Sequence, residues 1–379
     1  GRSRSSAKSL KLLGSSVVFS LMQKSKDISR LIDIEKIYME RDVREFQRGM
    51  EILQQFPAAE IIEVPSHWKI PSLHGNEGSI DEWVKIKRQI LVLGVKKSLT
   101  CRPNERSSHF VAPSISNGCT MACSYCYVPR RKGFANPITL FVNIDQICRY
   151  ISGHASRQGM MLTPGQVDEK YWVYDIGENG DCSVDAALCD NVKDFVSLFR
   201  SLPNAKATFA TKFVNRGMLD YDPQLKTRIR FSLMPQSISK VVDVRTAAIT
   251  DRIDAVNEFV DAGYEVHLNF SPVIYYDNWL RDYQNLFEQI NDSLSQRAKD
   301  QLKCEVIFLT HNTMLHDINM EWHPKGEELL WKPELQETKY SQTGGRNLRY
   351  KRGFKAEIVK SFIELLSMAL PYCKVRYAF

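Results

Sequence analysis

The chain has 379 residues, of which 43% are hydrophobic and 25% are charged, and its formal net charge is +7. These values exclude an intrinsically disordered chain, and ordinary glycine and proline contents exclude collagen-like and low-complexity sequences. No apolar run approaches the ~20 residues of a membrane-spanning helix, so we expect a soluble protein, and an odd number of cysteines favours free thiols in a reducing cytoplasm over a disulfide scaffold.

Residues 1–33 are predicted to form a basic N-terminal tail without ordered structure. All charged residues that precede Asp27 are cations, and the same Ser- and Arg-rich composition is compatible with a transit peptide. Residues 34–105 are predicted to form an N-terminal α/β portion. Residues 61–64 and 90–95 are short β-rich runs in this portion, separated by turn-forming residues.

Residues 106–315 are predicted to form the core of the fold, in which strand-like runs alternate with amphipathic helices. The runs lie at residues 110–115, 172–176, 207–210, 229–233, 266–270 and 306–309. The clearest helix begins at Thr250 and is predicted to stop at Gly263. This alternation predicts an α/β fold with a buried parallel sheet, and six such strands favour a partial (β/α)6 barrel of the TIM type. The two nucleotide-binding fingerprints, G-x-G-x-x-G after a strand and the P-loop, are not found in the sequence.

Residues 316–379 are predicted to form a C-terminal extension that is irregular over 321–352 and helical over 355–370. Near the end of its irregular part the chain carries a basic run with an aromatic residue: Arg346, Arg349, Tyr350, Lys351 and Arg352. Such a run is either a solvated charged face or a surface that contacts nucleic-acid phosphates. His311, His316 and His323 are close in sequence, but their spacing predicts no metal site.

Cys119, Cys123 and Cys126 lie in a C-x3-C-x2-C arrangement, which is the strongest functional signal in the sequence. A [4Fe–4S] cluster normally has four cysteine ligands, so three would leave one iron open for a cofactor or substrate. Structural zinc also needs four ligands, and no nearby Cys or His supplies a fourth. The spacing therefore predicts an iron–sulfur cluster. A zinc-binding or nucleic-acid-binding module without enzymatic activity is the alternative.

The cysteine spacing, with an aromatic residue just before the third cysteine, resembles the radical S-adenosylmethionine (SAM) superfamily, which favours a partial (β/α)6 barrel. Other segments resemble the spore photoproduct lyase family, in the same order along the chain. They are residues 60–67, 211–213, 227–233, 252–256, 262–264, 271–274 and 348–353. The resemblance covers about residues 34–379 and is more specific than the cysteine spacing alone.

This resemblance implies a radical SAM carbon–carbon lyase that reverses a UV-induced thymine dimer in DNA, with a [4Fe–4S] cluster and SAM as cofactors. The implied partners are DNA containing thymine lesions and an electron donor such as flavodoxin or ferredoxin. The basic run would then enter the lesion DNA. The alternative is an enzyme of the same scaffold that acts on another nucleobase, a nucleoside or a small metabolite.

Cofactor-binding residues are predicted near the carboxyl ends of the barrel strands, where barrel enzymes place their chemistry. They are Glu178, Asp185, Lys212, Ser232 and Ser271, and Tyr127, beside the third cysteine, is added by the family resemblance. The resemblance implies that Tyr127, Lys212 and Ser232 contact SAM. Glu178 and Asp181 flank glycines that allow a close backbone approach, so their carboxylates suit an ammonium group or ribose hydroxyls.

Cys182, Tyr125 and Tyr127 are the predicted catalytic residues. In the family that the chain resembles, a cysteine at the corresponding strand end donates a hydrogen atom to the substrate radical, and tyrosines relay the radical back to 5′-deoxyadenosine. Cys182 matches that cysteine, but Val184 stands where the family has a serine, and the segment 143–178 is longer than the family pattern. For Tyr125 the alternative is packing that shields the cluster.

Overall fold

The computed structural model describes residues 30–70, 73, 80–128, 135–340 and 345–379, so most of the predicted tail lies outside the described residues. The strands are β1 (Lys36–Glu40), β2 (Glu60–Val64), β3 (Ile90–Gly94), β4 (Arg102–Pro103), β5 (Phe110–Val111), β6 (Ser116–Asn117), β7 (Ile138–Phe141), β8 (Trp172–Asp175), β9 (Ala205–Thr211), β10 (Thr227–Ser232), β11 (Glu265–Val273), β12 (Lys303–Phe308), β13 (Thr310–His311), β14 (Gln336–Tyr340), β15 (Arg346–Tyr350) and β16 (Lys374–Ala378). The α-helices are α1 (Gln47–Gln55), α2 (Ile80–Gln89), α3 (Ile144–Gln158), α4 (Cys182–Leu188), α5 (Asn191–Ser201), α6 (Gln236–Val242), α7 (Ile249–Asp261), α8 (Trp279–Ser293), α9 (Gln296–Gln301), α10 (Thr313–Trp322), α11 (Pro324–Leu330) and α12 (Arg352–Ala369).

A five-stranded sheet in the order β2-β1-β3-β7-β6 forms the N-terminal part, and only β6 pairs antiparallel. The apolar run of β3 is typical of a parallel strand covered on both faces, and its last four residues are buried. Strands β6 and β7 follow residue 105 in the chain, so the boundary predicted there does not separate this sheet from the barrel. Strand partners across such a distance are set by tertiary packing, which local periodicity does not report.

An eight-stranded sheet in the order β16-β12-β11-β10-β9-β8-β5-β4 curls into a half-barrel, which confirms the predicted partial barrel. Its strands are parallel except β4 at one edge. The strand predicted over residues 110–115 is reduced to β5. The chain leaves the barrel there, because the carbonyl of Ile115 already accepts a hydrogen bond from Phe141 N (3.0 Å) in the other sheet.

Helix α7 shows how the outer face of the half-barrel is packed. Its buried residues include Ile253, Val256 and Phe259, and the Phe259 ring meets Phe231 of β10 edge-to-face at 5.2 Å. The predicted stop at Gly263 is confirmed, because this residue has φ +92°, in the left-handed region that favours glycine.

The interior of the half-barrel is lined by paired charges. Arg230 contacts Asp175 Oδ2 at 2.9 Å and Glu305 Oε2 at 3.1 Å, and Arg376 also pairs with Glu305. A second group joins Lys206 and Arg228 to Asp168, each at 2.8 Å, and to Glu265. Although burial works to raise the pKa of Glu305, the charges of Arg230 and Arg376 hold it below its ordinary value.

The C-terminal extension is more regular than predicted. Helix α11 begins with Pro324 in its first turn, where a proline is tolerated, and β13, β15 and β14 form a small antiparallel sheet. Strand β16 then joins β12 at the edge of the half-barrel. No helix in the described part of the chain is long and apolar enough to cross a membrane.

Candidate cluster and cofactor site

The loop that follows β6 carries Cys119, Cys123 and Cys126, all partly buried free thiols. Gly118 starts this loop with φ +98°, and an added Cβ would lie 2.7 Å from the carbonyl oxygen of Pro137, so the turn requires glycine. Two hydrogen bonds, from Ala122 N to Val244 O (3.0 Å) and from Ser124 N to Val242 O (2.9 Å), fasten the loop beside the half-barrel.

The donor set of this loop fits an iron–sulfur cluster better than one metal ion. The three thiol sulfurs do not belong to any described group of ligand atoms that all lie within 4.8 Å of one another. Thiolates on a single zinc ion would be about 3.8 Å apart, because Zn–S bonds are about 2.3 Å long. Burial raises the pKa of Cys119, and that of Cys123 to about 12, so a bound metal centre would be needed to hold both as thiolates.

Lys87 is a residue of this site that the sequence analysis missed. It comes from α2 and is buried, with its Nζ donating to the carbonyl of Cys119 at 3.1 Å. Burial lowers its pKa, while the three cysteines oppose that shift. Lys87 therefore places one cation against the negative charge that thiolates would bring, and its spacing from the cysteines in sequence offered no signal.

Tyr125 joins the cysteine loop to the ends of the barrel strands. Lys212 Nζ donates to the Tyr125 hydroxyl at 2.5 Å and lies 4.3 Å from its ring centroid. The hydroxyl in turn donates to Asp243 Oδ1, and Asp243 Oδ2 is paired with Arg252 at 3.2 Å. Burial raises the pKa of Tyr125 well above its ordinary value, so its phenol stays protonated at neutral pH. Asp243 was not identified from the sequence, whereas Arg252 lies in a segment that carried the family resemblance.

Tyr127, which directly follows the third cysteine, contacts Glu178. The Tyr127 side chain is 53% exposed, and its hydroxyl donates to the backbone carbonyl of Glu178 at 2.8 Å. The Glu178 carboxylate pairs with Arg102 at 2.6 Å. The structure thus brings both predicted residues together, and Arg102 partly neutralises the carboxylate.

Asp181 does not have the ligand-binding position that its sequence context suggested. It is the N-cap of α4, and its carboxylate accepts hydrogen bonds from the backbone N–H groups of Ser183 and Lys212 (3.0 and 2.9 Å) and from the Thr211 hydroxyl (2.8 Å). These bonds use the carboxylate to stabilise the start of the helix, as a capping aspartate does.

Asp185, in the first turn of α4, is buried next to the segment that leads from β8 into this helix. Its Oδ2 accepts a 2.5 Å hydrogen bond from Ser116, and its Oδ1 has no hydrogen-bond partner among the described residues. A Cβ on Gly180 would lie 3.2 Å from this carboxyl, so this segment passes close to it. Burial raises the pKa of Asp185 to about 8.

Ser232 and Ser271 lie near the carboxyl ends of the neighbouring strands β10 and β11. Ser232 is buried and lies opposite Asn269 in the strand register, with Asn269 Nδ2 3.5 Å from its hydroxyl. Ser271 is partly exposed. Both strand-end positions agree with the sequence analysis, and their contacts with SAM stay predictions.

Cys182 is the first residue of α4, and only 2% of its surface is exposed. Its thiol packs within the main apolar core and lies 3.9 Å from the carbonyl oxygen of Ala210. Burial raises its pKa well above the ordinary value, so the sulfur keeps its hydrogen at neutral pH. The role of Cys182 as hydrogen-atom donor stays a prediction.

The basic run is only partly available to a nucleic acid. Its exposed members are Arg346, Lys351 and Arg352. Arg349 is paired with Glu337 at 3.0 Å. Tyr350 is 1% exposed and its hydroxyl accepts a hydrogen bond from Tyr275 N at 2.9 Å, so the structure contradicts its predicted contact with nucleic acid. The alternation of side chains along β15 turns Tyr350 toward the core.

Other cations extend this basic face. Burial lowers the pKa of Lys355, and Lys339, Arg349 and Arg106 add like charge around it. A concentration of cations on one face is the electrostatic footprint of a surface that attracts polyanions. Arg106 is far from the basic run in sequence, so only the fold reveals that it belongs to this face.

Comparison with known proteins agrees with this arrangement. The family model described as spore photoproduct lyase matches residues 33–379. Spore photoproduct lyase of Clostridium acetobutylicum is 23% identical over 347 residues, which cover 90% of this chain and 98% of the relative. That of Bacillus subtilis (strain 168) is 23% identical over 348 residues, which cover 90% of this chain and 97% of the relative.

Solved structures of spore photoproduct lyase share the fold of this chain. A mutant with bound AdoMet (SAM) and dinucleoside spore photoproduct has a TM-score of 0.82 at 20% identity, and the match covers 92% of this chain and 100% of that one. A complex with dinucleoside spore photoproduct has a TM-score of 0.82 at 21% identity, with the same coverage.

Proposed function

The chain belongs to the spore photoproduct lyase family, and from this membership we propose that it is a radical SAM lyase that reverses a spore-photoproduct-type thymine dimer in DNA. One observation carries the proposal beyond the family match. The cysteine loop lies against the carboxyl ends of the half-barrel strands. There Lys212, which directly follows β9, contacts Tyr125 of the loop. Catalytic groups of barrel enzymes lie at this end of the strands.

A [4Fe–4S] cluster and SAM are the cofactors of this family. When bound, they supply a 5′-deoxyadenosyl radical that abstracts a hydrogen atom from the substrate. In this chain Cys119, Cys123 and Cys126 would hold the cluster, and Lys87 would offset part of its negative charge. The predicted SAM contacts are Tyr127, Glu178, Asp185, Lys212, Ser232 and Ser271.

Cys182 is proposed as the hydrogen-atom donor to the substrate radical, with Tyr125 and Tyr127 as the relay that follows it. Hydrogen-atom donation needs an S–H or O–H bond rather than a thiolate or phenolate. Burial supplies this condition at Cys182 and Tyr125, because it raises both pKa values well above their ordinary range.

The proposed partner is DNA that contains the lesion, held through the exposed cations Arg346, Lys351 and Arg352. An electron donor such as flavodoxin or ferredoxin would reduce the cluster. Phosphate contacts of this kind position a nucleic acid without reading its sequence. This agrees with a substrate that is defined by its damage rather than by its sequence.

The packing of Cys182 favours a second candidate function. Its thiol lies within the apolar core rather than at an open surface, and Val184 replaces the serine of the family pattern. A radical SAM enzyme of the same scaffold that acts on another nucleobase, a nucleoside or a small metabolite would not need a thiol at this place.

Anaerobic incubation of the full chain with SAM, dithionite and dinucleoside spore photoproduct tests both candidates. We expect repaired thymine dinucleoside by mass spectrometry. The Cys182→Ala variant should still cleave SAM but release less intact thymine, whereas Cys189→Ala, another buried cysteine near α4, should behave as the parent. Formation of 5′-deoxyadenosine without repair of this substrate or of UV-irradiated DNA would support the second candidate. Zinc in place of iron at the cysteine loop would exclude both.

A further inference from the structure

We propose that His311, His316 and Glu327 form a second metal site that binds one Zn²⁺ ion. Their spacing in the sequence predicted no metal site for the two histidines. The fold brings one ligand atom from each of these three residues within 4.8 Å of the others, and no other such group of three occurs in the described ranges.

The three ligands come from three different elements. His311 ends β13, His316 lies in α10 and Glu327 lies in α11. His311 Nε2 is 3.0 Å from both carboxylate oxygens of Glu327, and His316 Nδ1 is 2.5 Å from Oε2. Ligands on a tetrahedral zinc ion are about 3.3 Å apart, because the Zn–N and Zn–O bonds are about 2.0–2.2 Å long. Small outward shifts of these side chains would therefore admit the ion.

The surroundings orient two of the three ligands, His316 and Glu327. The His316 ring stacks on Trp331 with centroids 3.8 Å apart and planes 10° apart. Asn319 Nδ2 donates to Glu327 Oε1 at 2.7 Å. Such outer contacts fix the rotamers of metal ligands, so the ion would not have to order them itself.

The chemistry of the donors selects the metal. Two imidazoles and one carboxylate suit zinc, whereas calcium and magnesium prefer oxygen ligands alone. Two buried polar atoms of this cluster have no hydrogen-bond partner in the described part of the chain. They are the second ring nitrogen of His311, Nδ1, and the side-chain oxygen Oδ1 of Asn319. The described residues therefore leave hydrogen-bonding capacity beside the proposed ion, and ordered water could satisfy it.

The position of the site suggests a structural role. Asn319 also donates to the carbonyl of Ser124, inside the cysteine loop, at 2.6 Å. A Cβ on Gly326 would lie 3.2 Å from Ser124 Oγ, so α11 approaches the same loop closely. Zinc at this point would brace α10 and α11 against the loop that carries the three cysteines.

Metal analysis of the full chain, purified anaerobically and dialysed against metal-free buffer after addition of zinc, tests the proposal. We expect about one zinc per chain in addition to any iron. The Glu327→Gln and His316→Ala variants should retain none. The matched control is Glu328→Gln, which changes the exposed neighbour of Glu327 in the same helix and should retain zinc as the parent does.

Two further measurements exclude the cysteines and misfolding as explanations. A variant with Cys119, Cys123 and Cys126 all changed to Ala should still retain one zinc. In that background, Co²⁺ should produce visible d–d absorption without a sulfur charge-transfer band, and Glu327→Gln should remove it while the far-ultraviolet circular dichroism stays unchanged. Parental protein without zinc, or zinc that survives Glu327→Gln, would overturn the proposal and leave a hydrogen-bonded triad.

Discussion

The interior of the half-barrel and its rim differ in how completely their charged groups are paired within the fold. We call the rim the group formed by Tyr125 of the cysteine loop, Asp185 of α4 and the strand-end residues Glu178, Lys212 and Ser232. In the interior, Arg230 lies between two buried carboxylates and each of these charges is paired within the fold. At the rim, one carboxyl oxygen of Asp185 has no hydrogen-bond partner among the described residues. Lys212 Nζ contacts the neutral phenol of Tyr125 and lies 3.9 Å from the carboxylate of Asp243. Polar groups that are satisfied internally stabilise the fold, whereas groups with remaining capacity are available to a ligand.

The largest effect should come from removing a cluster ligand beside the rim. Cys126→Ala should abolish iron binding and SAM cleavage, because two thiolates cannot hold the cluster that the chemistry needs. The thermal unfolding of the half-barrel should change little, since none of the interior ion pairs described above involves a residue of this loop. Iron content, 5′-deoxyadenosine formation and circular dichroism measure the three effects. Cys101→Ala is the control, and full iron content in Cys126→Ala would contradict the assignment.

In the interior of the half-barrel, removal of a charged partner should lower the free energy of unfolding. Arg230→Met leaves Asp175 and Glu305 buried without their shared partner, which should cost about 3–5 kcal/mol in the free energy of unfolding measured in urea. Arg297→Met breaks an exposed pair with Asp261 (3.5 Å) and should stay close to the parent. Equal losses of unfolding free energy in the two variants would show that the interior ion pairs stabilise the fold no more than an exposed pair does.

The unsatisfied carboxyl of Asp185 at the rim should make the free energy of unfolding depend on pH. The pKa of Asp185 is raised to about 8 in the fold, against about 3.9 in an unfolded chain. Between these values the folded state holds a proton that the unfolded state lacks, so a rise in pH destabilises the fold by at most about 1.4 kcal/mol per pH unit. Asp185→Asn removes this slope. Its stability relative to the parent should therefore increase from about pH 5 to pH 7.5 in urea titrations.

Asp254→Asn changes an exposed aspartate and serves as the control for that experiment. A difference between Asp185→Asn and the parent that does not vary with pH would mean that Asp185 is ionised in the fold. The rim would then resemble the interior, with its charge compensated by the protein.

The smallest effect is expected at the exposed cations of the C-terminal extension. The Lys351→Ala/Arg352→Ala double variant should reduce the log–log salt dependence of DNA binding by about one unit per lost phosphate contact. SAM cleavage without DNA should stay normal. Lys193→Ala/Lys240→Ala, two exposed lysines elsewhere, is the matched control. An unchanged slope in the Lys351/Arg352 variant would identify the basic run as a solvated face.

Several local features could be predicted before the fold was known. The helix that ends before Gly263 and the strands around residues 207–210 and 229–233 follow from periodicity, because a buried face repeats at a fixed interval. The cysteine loop followed from spacing alone. Lys87 and Asp243 could not be predicted in this way, because each reaches the site from an element distant in sequence. Tyr350 was misassigned because a basic neighbourhood does not report which face of β15 meets the core.

By itself, the sequence determined the class of fold, the three cysteines and the family, because these depend on short-range spacing and on the order of motifs. Only the tertiary structure decided how charges are distributed. In the fold, Asp181 caps a helix and Cys182 is buried in the core. The fold also brings His311, His316 and Glu327 together from three elements. Pairing, capping and burial depend on which elements come within a few ångströms of one another, and that distance is a property of packing rather than of residue order.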